Sequence, residues 1–257
     1  MSELMWFGTE ERMQWITAPL SGANMTPEGW GVGGTLLSGG GYQSNSWGTH
    51  KNYTFEWSGA SSLEAAQLMK SYRDGTYGRG LIYFIDPLTY ERNVLPARLA
   101  DLSMAVGDES ASLVYDASPA PLSSGATAAS GLPIGGALYN LGSVAANIRA
   151  NESTFIPIPA GYTLHLTAMY SATGTGGIFA TPQVSKGVLG TPVRLTANAV
   201  SATAPVWHAF NSTNASGVRI WLGRTSTVAS TVSAYAMIGR LVKTGRPAPT
   251  DPWIGGM

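Results

Sequence analysis

Three histidines, His50, His165 and His208, are the only imidazoles among 257 residues, and there is no cysteine. No two of them stand in H-x-x-x-H or H-E-x-x-H spacing, which would put two ring nitrogens on one helix face toward a metal. The lack of thiols excludes disulfide scaffolds, thiolate zinc sites and cysteine nucleophiles. No G-x-S-x-G elbow and no G-x-x-x-x-G-K-[ST] loop occurs. The clusters "GVGG" (31–34) and "SGGGY" (38–42) lack the strand–turn–helix setting in which glycines cradle phosphate. Paired carboxylates would suit glycoside hydrolysis. After residue 110, however, the only acids are Asp116, Glu152 and Asp251, in linker, loop and tail sequence. Before it, Glu10 and Glu11 fall in a turn, Glu56 lies on a strand, Glu64 caps a helix, and Asp86 precedes Pro87. Each has a structural role, so no catalytic, metal or cofactor residue is assigned and an enzyme is not expected.

Aromatic residues offer a different chemistry. In "VWHAF" and "GVRIWLGR", Trp207 stands beside His208 and Arg219 stands two residues before Trp221. On strands, Arg219 and Trp221 point away from a core built on Val218, Ile220 and Leu222. Such rings stack on sugars, and Trp and Tyr are equally the favoured anchors of protein interfaces. Core packing is a third reading for Trp207. Charged residues make up only 12% of the chain, about half the usual share of ~25%. That scarcity favours interface over glycan. The charge is also uneven: residues 1–110 carry 7 Lys and Arg against 12 Asp and Glu, a balance of −5, and residues 111–257 carry 8 against 3, a balance of +5. There is no basic run, which argues against duplex DNA as a specific ligand. No apolar stretch approaches the length of a membrane-spanning helix, and the start Met1-Ser2-Glu3 has no signal-peptide pattern.

The elements that must carry these residues are mostly strands. In "MWFGTEERMQWI", residues 4–7 and 12–16 read as a hairpin around Gly8-Thr9-Glu10-Glu11, with Met13 and Trp15 opposite in face to Gln14 and Ile16. Trp6 and Phe7, being adjacent, point to opposite faces. Both cannot enter one core, so one is a candidate to pack on a neighbouring subunit, alongside Trp15. The Gly-rich stretch 28–52 reads as a mobile loop or as short, tightly turned strands. "KNYTFEW" (51–57) reads as a strand with Tyr53, Phe55 and Trp57 on one face, and Tyr53 and Trp57 join the interface candidates. "SSLEAAQLMKSYRDG" predicts the one helix: Ser61 and Glu64 make a capping box, Ala65, Leu68, Met69 and Tyr72 a buried stripe, and Gly75 a stop. Residues 80–87 read as a buried strand and 92–100 as an extended piece. Ser, Ala, Pro and Gly then dominate to residue 135, with one short strand at Ser112–Tyr115. The remainder predicts a sandwich with strands at 154–158, 162–171, 178–183, 193–197, 206–210, 218–224 and 232–242. The expected organisation is an N-terminal domain over 1–106, a linker over 107–135 and a C-terminal β-sandwich over 136–257.

Three stretches together, "WFGTEERMQWI", "LIYFIDPLTYERNVLPARLA" and "SAYAMIGRLVKTGRPAP…WIGGM", resemble minor tail proteins of actinobacteriophages, of the distal tail protein type. The resemblance implies a mainly β chain. Its N-terminal part would be a tail-tube-like β-sandwich or barrel with one α-helix, closed into a homo-hexameric ring by sheet augmentation. A galectin-like or carbohydrate-module-like jelly roll would follow. It implies a structural virion protein at the siphophage tail tip, assembled in the host cytoplasm, joining the tail tube protein to the tail-tip hub and other minor tail proteins. The tape measure and DNA would pass through its lumen without specific binding, which the acidic N-terminal half suits. The alternative is a host-attachment module binding a surface glycan through Trp207, His208, Arg219 and Trp221. No cofactor and no membrane span is implied.

Overall fold

The computed structural model describes residues 4–17, 24–35, 41–54, 60–78, 81–85, 93–95, 97–100, 114–115, 127–128, 137–141, 148–150, 153, 155–185, 188–195 and 206–249. The chain is mainly β, with its strands in several antiparallel sheets.

The alternation in the opening stretch makes a hairpin of β1 (Leu4–Thr9) and β2 (Arg12–Thr17), closed at Glu10 and Glu11 in a turn two residues tighter than its sequence suggests. After it come β3 (Asn24–Thr35) and β4 (Gly41–Thr54), so the Gly-rich stretch forms one long hairpin rather than a series of short strands. Helix α1 (Ala60–Arg73) follows, and Gly75, at φ 76°, ends its last turn with its N–H on the Tyr72 carbonyl. Strand β5 (Tyr83–Ile85) then joins β1, giving a small sheet in the order β2-β1-β5. Residues 97–100 form a helical turn, α2 (Ala97–Ala100), where extended chain is expected.

This small sheet is buried on both faces. Met5 and Phe7 face α1, where they meet Tyr72 and the half-buried Leu68, Met69, Tyr77, Ile16 and Phe84. Trp6 and Ile85 face the other way, into the main core, with Met13 and Trp15 packed alongside. The Trp6 and Trp15 rings meet edge to face, 4.9 Å apart, across the register pair they form. Gly8 (φ +151°) is required here, because a Cβ would lie 2.0 Å from the Arg12 carbonyl and 2.7 Å from the Tyr72 hydroxyl. That hydroxyl crosses from α1 to donate to Arg12 O at 3.0 Å.

The main core lies between two larger sheets. Seven strands make the first: β6 (Val114–Tyr115), β9 (Ile148–Ala150), β10 (Ile156–Pro157), β12 (Gly176–Ser185), β13 (Val188–Leu189), β14 (Val193–Arg194) and β16 (Gly217–Arg224). Five make the second, in the order β15-β11-β17-β8-β7: β7 (Thr127–Ala128), β8 (Ala137–Asn140), β11 (Tyr162–Ala172), β15 (Val206–Asn211) and β17 (Thr231–Lys243). Leu164, Leu166, Ala168 and Tyr170 of β11 face Val218, Ile220 and Leu222 of β16 across the core. A bulge leaves Tyr235 unpaired and switches the inward set on β17 from Val232 and Ala234 to Met237, Gly239 and Leu241.

The expected boundaries do not coincide with the packing. The stretch 107–135, read as a linker, supplies β6 to one sandwich sheet and β7 to the other. Leu95 and Leu99, ahead of it, lie in the sandwich core with Trp6 and Ile85. Beyond the end of β8, residues 93–95 occupy the edge of β17: Val94 N–H donates to Gly239 O at 2.9 Å, and the Asn93 side chain bonds Met237 O and Gly239 N. A Cβ on Gly239 would come within 2.8 Å of Leu95.

Because Trp6 fills the sandwich core from the small sheet, Trp6→Ala is expected to lower stability by about 3–5 kcal/mol. Unfolding followed by far-UV and near-UV dichroism should remain one cooperative transition. Two transitions, the sandwich's unmoved, would mean that the layers are energetically independent.

Candidate functional site

The turn of the first hairpin reaches the outer face of the first sandwich sheet. Glu10 Oε2 pairs with Arg219 Nη2 at 2.8 Å, and both side chains are about one-third exposed. Glu10 Oε1 accepts from the Tyr83 hydroxyl at 3.0 Å, while the Glu10 carbonyl accepts from Gln183 Nε2 at 3.1 Å. Tyr83 packs its ring against Phe155, centroids 5.4 Å apart. One acidic residue thus ties together β5, β12 and β16. Burial first, and then its bond to the Glu10 carboxylate, push the Tyr83 phenol up to about 12.

Two residues along β16 on the same face, Trp221 stacks on Phe179 at 4.4 Å and 11°, donates Nε1–H to Thr181 Oγ1 at 3.0 Å, and lies under the Arg149 guanidinium at 4.8 Å. Trp221 does turn away from the inter-sheet core as its position in the strand requires. It is nevertheless only 1% exposed, which corrects the expectation of a free ring.

Trp207 and His208 are also separated. Register places Trp207 opposite Thr167 on the outer face of the second sheet, and His208 opposite Leu166 on the inner face. Trp207 is 38% exposed. His208 packs its ring on Phe210 at 4.6 Å, and burial lowers its pKa, as it does that of His165. The four residues grouped by sequence as a contact surface therefore occupy three places, and only Trp207 presents its ring.

Of the interface candidates, Trp6 and Phe7 are covered within the chain, and Trp15 is half-buried against Tyr162, 5.9 Å away. Tyr53 pairs with Met25 in the long hairpin, its side chain outside the described residues, and Trp57 lies outside them altogether. Between β2 and α1 runs a cavity of about 440 Å³ lined by Gln14, Trp15, Ile16, Glu64, Leu68 and Tyr77, among others. Among the described residues no three His, Asp or Glu side chains cluster as metal ligands.

No family model and no curated protein matches the chain. Among solved structures, a CBM4 structure is 15% identical, covering 44% of this chain and 89% of its own, at a TM-score of 0.29. The CBM22-1 xylan-binding domain from Paenibacillus barcinonensis Xyn10C is 10% identical, covering 48% and 89%, at a TM-score of 0.30.

The raised Tyr83 pKa has a definite sign. The folded state holds the phenolic proton more tightly than the unfolded chain, where it leaves near 10. The resulting stability is complete below about pH 10 and is lost as pH rises to about 12. Tyr83→Phe is accordingly expected to lose less stability than the parent between about pH 10 and about pH 12, read from urea midpoints. Equal losses would sever the link to Glu10.

Proposed function

We propose that this chain is a structural subunit of a closed homo-oligomer, of the distal tail ring kind its sequence resembles, joining a tail tube to a tail-tip hub. The observation that carries this reading is the long hairpin. β3 and β4 form a sheet of their own, of 12 and 14 residues, joined to no other strand among the described residues. At ~3.3 Å per residue it extends about 40 Å. An isolated two-stranded ribbon is marginally stable in water, so a hairpin of this length calls for a surface to lie on. With Trp6 and Phe7 spent on internal layers, the subunit contact moves from those rings to the hairpin. The low charge of the chain suits permanent interfaces.

A second reading rests on Trp207, the exposed tryptophan of the second sheet's outer face. A flat exposed ring on a β-sheet is a stacking platform for a sugar, and a ring of subunits would present several.

Purified protein is expected to elute as a multiple of its subunit mass and to show a central hole by negative-stain microscopy. Replacing residues 27–51 by a short Gly-Ser turn is expected to yield a folded monomer. A parent protein that stays monomeric at high concentration would refute the ring. For the second reading, Trp207→Ala should abolish pull-down on host cell-wall material. Retention unchanged by the substitution removes Trp207 from the site.

A further inference from the structure

Arg224 ends β16 on the inward side. Val218, Ile220 and Leu222 point between the sheets, and the same alternation carries Arg224 inward two residues later, where it too is 0% exposed. Its cross-strand partners are Gly176 and Ile148. Nη1 donates to the Val228 carbonyl at 3.0 Å, but Nε and Nη2 are buried with no hydrogen-bond partner. A guanidinium remains charged when buried, and burying charged donors without partners is strongly unfavourable.

Among the described residues no carboxylate bonds the Arg224 guanidinium. Between residues 137 and 249 the sequence has one acid, Glu152, against eight Lys and Arg, and none of the described residues of that span is acidic. The two open donors share one edge of the guanidinium plane, the fork that receives both oxygens of a carboxylate or two of a phosphate. The guanidinium is also held in position. Val228 O accepts from Ser230 Oγ at 2.8 Å as well as from Arg224, Ser230 Oγ accepts from Thr175 N at 3.1 Å, and Thr175 Oγ1 bonds Ser226 Oγ at 2.7 Å.

We infer that the end of the sandwich beneath the loop 225–229 is an oxyanion site, in which Arg224 grips the carboxylate or phosphate of a small organic anion through Nε and Nη2. The hydroxyls of Ser226, Ser230 and Thr175 belong to the network around the Val228 carbonyl, on the Nη1 side. Entry requires the loop to lift. Its residues Thr225, Thr227, Val228 and Ala229 are exposed, Val228 by 52%, so what holds it down is hydrogen bonding, from Val228 O to Arg224 and Ser230 and from Ser226 to Thr175, rather than packing. This site belongs to the other large sheet from Trp207 and does not depend on the ring reading.

The test is saturation-transfer NMR on the full chain, which tolerates a large assembly, with glucuronate, glucose 6-phosphate and glucose as probes. Transfer to one or both anionic sugars and not to glucose is expected, and the two anions separate carboxylate from phosphate preference. Arg224→Lys keeps the charge but removes the fork, and Arg224→Met removes both. Each should weaken binding at least about tenfold, while exposed Arg246→Met should leave it unchanged. Should Arg224→Met fail to fold, Arg224→Lys alone decides. No transfer to either anion, or transfer that survives in Arg224→Lys, overturns the site. Equal transfer to glucose also refutes it while leaving a Trp207 glycan platform standing.

Discussion

Strand β1 has no solvent face. Met5 and Phe7 belong to the layer shared with α1, and Trp6 belongs to the core between the large sheets. Since successive residues of a strand point to opposite sides, two adjacent aromatics are what a central strand needs when something packs on each face. The molecule is thereby layered: helix, small sheet, then sandwich. Each layer's position is set by the one strand whose side chains enter both interfaces. A one-residue slip in the β1–β2 register would exchange the two sets and place Trp6 against the helix.

The polar seam at Glu10 fixes what apolar packing leaves free. Hydrophobic contact is indifferent to small sliding, whereas a carboxylate bonded to both Tyr83 and Arg219, with its carbonyl on Gln183, accepts one arrangement. The acidic first half and basic second half of the chain meet here through the Glu10–Arg219 ion pair. Its two side chains retain about a third of their exposure, so it contributes orientation more than stability.

Much of this was legible in the residues. The hairpin, the helix with its Ala65–Leu68–Met69–Tyr72 stripe, the Gly75 stop and the longer sandwich strands follow from periodicity and turn chemistry, and the structure has them. Strands of two to four residues, such as β7, β8 and β9, left no period to read, although β6 falls within the expected strand at Ser112–Tyr115. The turn at 97–100 was hidden because Pro96 biases Leu95, just ahead of it, to extended backbone. Which rings are accessible was not legible. Alternation assigns Trp221 a face correctly, but only tertiary structure reveals that Phe179, Thr181 and Arg149 occupy that face as well. Arg224 was readable in principle: the rule that puts Val218, Ile220 and Leu222 inward continues to it, and an arginine on a core face is the signal.

The edge of β17 is shared between β8 on Thr231–Ala234 and the segment around Val94 on Met237–Gly239. One side of a sandwich strand is therefore completed by chain about 140 residues earlier. A fragment cut at the apparent linker would keep most of its strands and still lose that cover. It would expose the Met237 and Gly239 backbone groups beside a core vacated by Trp6, Leu95 and Leu99. An uncovered ladder next to an apolar opening recruits strands from other molecules, so the excised sandwich is a poor proxy for the sandwich in the whole chain.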